Sequence, residues 1–471
     1  MRSPFLIVAL GAIAFPVGVA VGQQASQQAT AIDPRAVSDS AIRAVIKDRV
    51  DSKRSVGIAV GILDPDGHTR VFSYGASGTS RPIDANSVFE IGSITKTFTA
   101  TTLADMVVKG EVKLDDPVAK YLPSTAHVPS RNGREITLVD LATQSSGLPR
   151  MPSNFAPKDQ SNPYADYTEQ QAVDFVSGYA LTRDPSEKYE YSNLGMGLLG
   201  IALEHREGLG YEALVRKHVI DPLKMSDTRV TFTPSMKERL ALGHDDAGNV
   251  VSNWDIPGLA GAGALRSTVT DMLKYVAANV DPARSPLTAA IELAHQKRHG
   301  TDNPKLNLGL AWHILTTPFG NDITWHNGGT GGYRTFIGFD SARHTGVVVL
   351  SNSNIGVDDI GLHFIDPRLP LAPAPVKVAH TEITLSPDVL DRYVGEYELA
   401  PQFHIIVTRD GNALYGQPTG QDKVQLFPEK EDEFFLKVVD AQIVFTKDSS
   451  GKVTGMVLKQ NGQESPGTKI K

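Results

Sequence analysis

The stretch Phe89-Glu90-Ile91-Gly92-Ser93-Ile94-Thr95-Lys96-Thr97-Phe98-Thr99-Ala100 reads as a helix that begins near Ser93. Phe98, Leu103, Met106 and Val107 follow at helical spacing and form an apolar stripe. Gly110 is the residue type that accepts a left-handed C-terminal cap, so the helix should end there. A serine in the first turn and a lysine three residues on then share one face. A serine hydroxyl becomes a competent nucleophile when a base lies within hydrogen-bond reach. The free N–H groups and positive dipole end of the helix would stabilise a developing oxyanion. Ser-x-x-Lys is a weak signal on its own. The chain also contains Ser449-Ser450-Gly451-Lys452, which follows Asp448 in a Ser/Gly cluster and reads as a surface turn. At this point an N-cap serine beside a solvated lysine accounts for Ser93 and Lys96 equally well.

The chain has 471 residues, 41% hydrophobic content and a formal charge of −7. That is enough for more than one core, and the acidic balance leaves no electrostatic footprint for nucleic acid. Met1-Arg2-Ser3-Pro4 is followed by a small, apolar run from Phe5 to Val21, and Ala20-Val21-Gly22 offers small residues before Gln23. Residues 1–22 therefore read as a secretory signal peptide, and the expected location is periplasmic or secreted. The run is short for a membrane span and contains Pro16, so no stable span is expected. The chain has no cysteine, which excludes lipoprotein attachment and a disulfide framework. No metal site is apparent and no cofactor is expected.

Further along, Gln- and Ser-rich residues from 23 to about 40 form a leader, and a helix follows over Ala41–Val50. Val56–Leu63 and Thr69–Tyr74 read as a hairpin across Asp64-Pro65-Asp66-Gly67. Leu114–Tyr121 reads as a short helix, and Ile136–Ala142 leads into the loop Ser145–Pro149. Residues 150 to about 260 look helical and irregular, an insertion into the sheet domain. Thr168 with Gln171 is a capping box.

In Tyr189-Glu190-Tyr191-Ser192-Asn193-Leu194-Gly195, an extended backbone would turn Tyr191 and Asn193 to one side. A phenol and a lysine amine placed close together perturb each other, and either can act as base. The alternative is a buried Tyr191 and an N-capping Asn193. Gly195-Met196-Gly197-Leu198-Leu199-Gly200 matches Gly-x-Gly-x-x-Gly, but no buried strand precedes it. Close helix packing explains these glycines better than dinucleotide binding. Thr268–Asp271 caps another helix. Ile323–Tyr333 is a strand carrying His326 into a glycine run, and Tyr333–Phe339 and Gly346–Leu350 follow as strands.

Ser93-x-x-Lys96, Tyr191-x-Asn193 and His326-Asn327-Gly328, in that order, resemble the penicillin-recognising serine hydrolases. The match is to class C β-lactamases and their relatives among D-Ala-D-Ala carboxypeptidases, D-aminopeptidases and esterases. Leu141-Ala142-Thr143, Gly147-Leu148-Pro149, Arg266-Ser267-Thr268 and Gly331-Gly332-Tyr333 agree, over roughly residues 40 to 355.

The resemblance implies an α+β fold with an antiparallel sheet, flanking helices and a helical subdomain over residues 23–369. It implies that Ser93 forms an acyl-enzyme, and that Lys96 and Tyr191 share proton transfer. Asn193 would bind the substrate's amide side chain, and the N–H groups of Ser93 and Gly329 would form the oxyanion hole. His326, Asn327, Gly328 and Gly329 would border the substrate. The family's β-lactamases carry Lys-Thr-Gly where this chain has His326-Asn327-Gly328, which argues against efficient β-lactam turnover; esterase and peptidase branches carry histidine there. A free imidazole titrates near pH 6.5, so carboxylate substrates should gain as pH falls. The expected partners are a β-lactam, a D-amino-acid peptide or an ester. The alternatives are a carboxylesterase of the same fold, or a penicillin or peptidoglycan sensor that acylates without turnover.

Residues 370–380, rich in Pro and Ala, read as a linker. Residues 381–471 read as a lipocalin-like antiparallel β-domain. It would comprise a helix over Pro387–Tyr397 and six strands, at 403–407, 413–415, 424–427, 434–438, 443–445 and 453–458. Asp410-Gly411 and Asn461-Gly462 mark turns.

Overall fold

A computed structural model describes residues 37–373, 380–400, 403–419, 423–437, 441–460 and 463–471. The signal peptide, the leader up to residue 36, linker residues 374–379 and the Asn461-Gly462 turn lie outside the described residues. The chain divides into two compact units, with the division between Pro373 and Ala374.

The first unit is built on an eight-stranded antiparallel sheet. Its order is Thr69–Gly75, Gly57–Leu63, Thr345–Ser351, Arg334–Asp340, Asp322–Gly329, His313–Thr316, Leu306–Leu308 and His299–Gly300. The Gly57–Leu63 and Thr345–Ser351 strands are buried throughout, because both faces of the sheet are covered. Such strands read as continuous apolar runs. Ile58, Val60, Ile62, Val347 and Val349 pack with Ile42 and Ile46 of the Asp39–Asp51 helix and with Phe364 and Ile365 of the Asp358–Ile365 helix. Ala59, Ile337, Val348 and Leu350 face the other helices. Gly61 lets the Val269–Val280 helix approach: a Cβ there would lie 2.7 Å from Val269.

The expected hairpin forms across Asp64–Gly67, where Gly67 takes φ +86°. The capping box at Thr168 and Gln171 and the Thr268 cap are both present. The short helix near Leu114 is a 3-10 turn, Val118–Tyr121. The Gly-x-Gly-x-x-Gly stretch lies in the helix Asn193–Glu207 as helix packing requires: a Cβ on Gly197 would come within 2.4 Å of Leu259.

The Ser93 segment differs from a one-sided amphipathic helix. A 3-10 turn, Gly92–Ile94, leads into the α-helix Thr95–Val108, whose residues Thr95 to Met106 are all buried. It is a central helix. Two of its buried threonines are satisfied locally or across the core: Thr101 Oγ1 bonds the carbonyl of Thr97, and Thr99 meets the Tyr211 hydroxyl at 2.7 Å. The helix stops as expected, with Gly110 at φ +74°.

The second unit is a closed barrel of eight antiparallel strands, each bonded to the next in sequence. Tyr397↔Lys469 and Glu398↔Thr468 close it. Leu390, Tyr393, Tyr397, Phe434 and Phe445 are among the side chains that fill it. The expected Pro387–Tyr397 helix is shorter. It runs Pro387–Leu390, turns at Asp391–Tyr393, and gives way to the strand Gly395–Ala400. That strand and Gln463–Lys469 were not among the six expected. The first carries charges at alternate positions, and the last contains Pro466 and Gly467. Ser449–Lys452 is the expected turn, organised by Asp448, and Gly451 takes φ +83°.

Candidate active site

Ser93 sits at the centre of the Gly92–Ile94 turn, partly exposed, in an open cleft. Lys96 lies one turn further, fully buried. Its Nζ is 2.9 Å from Ser93 Oγ, 2.8 Å from Asn193 Oδ1 and 2.6 Å from the Ala262 carbonyl. Three oxygens thus surround a nitrogen that has no carboxylate partner among the described residues. Burial, with a smaller push from Arg150, holds its pKa well below the ordinary lysine value. An ammonium would donate to all three oxygens. A neutral amine can donate to Asn193 and Ala262 and turn its lone pair to the Ser93 hydroxyl.

Tyr191 covers this group: Lys96 Nζ lies 4.8 Å from its ring centroid. Burial raises the phenol above the usual tyrosine value, against the opposing influence of Arg150 and a hydrogen bond with Ser93. Of the two bases left open by the sequence, electrostatics favour the amine. The expected extended Tyr191–Asn193 segment is only partly so. Ser192 is the N-cap, its hydroxyl accepting from Gly195, and Asn193 is the first helical residue. Gln144 holds the turn in place: its Oε1 accepts from Ser192 N at 2.7 Å, and its own backbone takes the left-handed φ of 58°.

The Asp322–Gly329 strand brings the third motif alongside. Gly92 has φ +51°, and a Cβ there would lie 2.6 Å from Gly329 N. Gly328 faces Ile91, where a Cβ would lie 2.0 Å from the carbonyl oxygen. Gly329 lines the cleft with Ser93 and Asn193. Gly328 is a close-packing residue, because the strand could not otherwise approach the serine turn. Asn327 is not at the cleft. Side chains alternate along a strand, and its amide donates to Asp358 at 2.6 Å on the opposite face.

A Beta-lactamase family model matches residues 42–364, well over half of the chain. The chain belongs to the beta-lactamase family. Penicillin-binding protein 4* of Bacillus subtilis (strain 168) is 26% identical over 428 residues, covering 85% of this chain and 91% of that protein. The D-alanyl-D-alanine-carboxypeptidase/endopeptidase AmpH of Escherichia coli (strain K12) is 31% identical over 331 residues, 65% of this chain and 84% of that one. The structure of a beta-lactamase/D-alanine carboxypeptidase from Yersinia pestis, complexed with citrate, matches with a TM-score of 0.59 at 27% identity, over 67% of this chain and 94% of that one. A second family model, described as a domain of unknown function, matches residues 379–469.

Within this beta-lactamase-family site, His326 is not the titrating group the sequence suggests. It is 1% exposed, and its ring centroid lies 5.0 Å from that of His313. Burial, His313 and Lys96 push its pKa well below 6.5. Burial also pulls His313 down to about 4. His326 Nδ1 lies 2.6 Å from the Asn327 carbonyl, which can only accept, so Nδ1 carries the proton. A neutral ring then presents Nε2 as an acceptor. No gain for carboxylate substrates near pH 6 follows from this residue.

The cleft also has walls the motifs do not announce: Tyr164, Trp254, Ile256 and Thr330. Tyr164 and Trp254 lie 5.3 Å apart between ring centroids. Trp254 is held by its backbone N–H donating to Glu90 at 2.8 Å, and Arg266, flagged in the sequence, bonds the Trp254 carbonyl at 2.7 Å. The rarity of tryptophan, three in the chain, was the available signal. Elsewhere Glu111, Glu207 and His218 come within metal-ligating reach of one another. His218 already meets Asp105 at 2.6 Å and Glu207 at 3.2 Å, and Lys217 donates to Glu207 at 2.7 Å, so two of the three groups are already engaged.

Proposed function

We propose that the protein is an exported serine hydrolase that cleaves an amide or ester through an acyl-enzyme on Ser93. The observation that carries this reading is Lys96: a buried amine, without a carboxylate partner among the described residues, 2.9 Å from the Ser93 hydroxyl. The Ser93 proton passes to Lys96 Nζ as Oγ bonds the substrate carbonyl carbon. The N–H groups of Ser93 and Gly329 face the resulting oxyanion. Collapse expels the leaving amine or alcohol, which takes the proton back through Lys96, with the Tyr191 hydroxyl as relay. Water then attacks the acyl-enzyme by the same route. Asn193 holds both Lys96 and the acyl side chain. D-amino-acid peptides and β-lactams are the first substrate classes to test, in keeping with the names of the relatives.

Intact mass after incubation with a penicillin tests the reading. The wild type should gain one penicilloyl adduct. Ser93→Ala should lose the adduct and turnover by on the order of a thousandfold or more while staying folded. A folded Ser93→Ala protein with full activity would sink the mechanism. A second reading, a carboxylesterase with the same chemistry, is favoured by neutral His326, which offers no cation to a substrate carboxylate. Comparing nitrocefin, p-nitrophenyl acetate and a D-Ala-D-Ala peptide separates the two.

A further inference from the structure

Arg150 follows Gly147-Leu148-Pro149 and is fixed to the element that carries Asn193. Its carbonyl accepts the N–H of Asn193 at 3.0 Å and of Leu194 at 3.3 Å. Its guanidinium carbon lies 4.9 Å from the centroid of the Tyr191 ring. The side chain is half-buried, and no carboxylate, carbonyl or hydroxyl among the described residues accepts from its guanidinium. The other arginines beside the cleft differ. Arg266 has Asp255 at 3.1 Å and Glu90 at 3.5 Å. Arg334 donates to the carbonyls of Thr330 and Tyr333 and lies in the field of Asp246 and Asp358. A guanidinium has five donors in a planar fork, and partial burial without acceptors costs solvation. Arg150 is a cation packed on Tyr191 beside Asn193, with no oxygen acceptor among the described residues.

We infer that Arg150 binds a carboxylate on the acyl part of the substrate, the part that stays on Ser93. This rests on the serine-hydrolase reading above and narrows it. The position decides the side: Arg150 is joined to Asn193, which faces the acyl side chain in that reading. His326, at the position where the family's β-lactamases carry lysine, presents an acceptor and does not compete for the anion. The favoured substrates are therefore acyl donors with a free carboxylate near the scissile carbonyl, such as a peptide whose donor residue is dicarboxylic.

Benzylpenicillin and α-carboxybenzylpenicillin differ by one carboxylate on the acyl side, and the full chain is tested with both. Acylation of Ser93 is timed by intact mass in wild type, Arg150→Met and Arg150→Lys. Any influence of Arg150 on Lys96 is common to both compounds, so their ratio isolates the anion contact. The ratio of carboxylated to plain compound should fall about tenfold or more in Arg150→Met, the scale of one charge-assisted hydrogen bond, and Arg150→Lys should restore much of it. A second readout needs no chemistry: in Ser93→Ala, calorimetry should show tighter binding of the carboxylated compound, and Arg150→Met should abolish the difference. Equal affinities there, including no binding of either compound, would overturn the inference. Unequal affinities without an adduct on intact Ser93 would instead overturn the acyl-enzyme reading and leave Arg150 as the anion site.

Discussion

Lys96 brings its amine into a site that, among the described residues, offers oxygens but no countercharge, and this sets the sign of the pH dependence. A lysine whose pKa is held below 10.5 is neutral, and able to accept the serine proton, above its own shifted value. The kcat/KM for an uncharged ester should therefore rise with pH through the Lys96 titration and fall below it. Buried His326 stays neutral and should add no increase as pH drops from 8 to 6. A profile that climbs towards pH 6 would contradict both assignments. Arg150 lowers Lys96 through its charge, so Arg150→Met should move the acid limb to higher pH for that same ester. An acid limb that does not move would mean that burial alone sets the lysine.

At the scale of elements, the site depends on how closely the Asp322–Gly329 strand can approach the serine turn. Gly328→Ala would place a Cβ 2.0 Å from the Ile91 oxygen and 2.4 Å from Thr335 Oγ1. The strand must retreat, which costs about 1–3 kcal/mol as overpacking and should lower acylation by about a hundredfold. Unchanged acylation at unchanged Tm would show that the approach does not matter. On the far face of the same strand, Asp358 accepts from Asn327, and burial raises its pKa from 3.8 to about 6. A carboxyl raised in the folded state stabilises most below its unfolded pKa, and that contribution is lost as pH rises through 6. The whole displacement corresponds to at most about 3 kcal/mol. Asp358→Asn keeps an acceptor for Asn327 and should raise Tm more at pH 7.5 than at pH 5; calorimetry at the two pH values decides. The hairpin, the caps at Thr168 and Thr268, and the serine–lysine pair were all legible, because each is written in a few neighbouring residues. Asn327 was misread because the motif gives its order in the chain but not which face of the sheet it takes. Tyr164 and Ala262 were invisible for another reason: they reach the cleft through packing between distant segments, as does Trp254, which only its rarity signalled. The first and last barrel strands hid behind charges, a proline and a glycine.

For the whole molecule, the two units have separate cores among the described residues. All the residues assigned to the chemistry precede Pro373. A protein ending at Pro373 should fold and acquire the penicilloyl adduct at a rate within about threefold of the full chain, as expected for independently folding domains. A folded, truncated protein that cannot be acylated would place part of the site in the barrel. The sheet also dictates when the enzyme can exist. Its second strand, Gly57–Leu63, pairs with Thr345–Ser351, and the Ser93 turn is completed by Gly329. A chain leaving the ribosome therefore carries its serine and lysine long before the strands that order them have been made, and closing such distant contacts is slow. Until Ser351 has emerged, the nascent polypeptide holds its serine and lysine without the sheet that orders them.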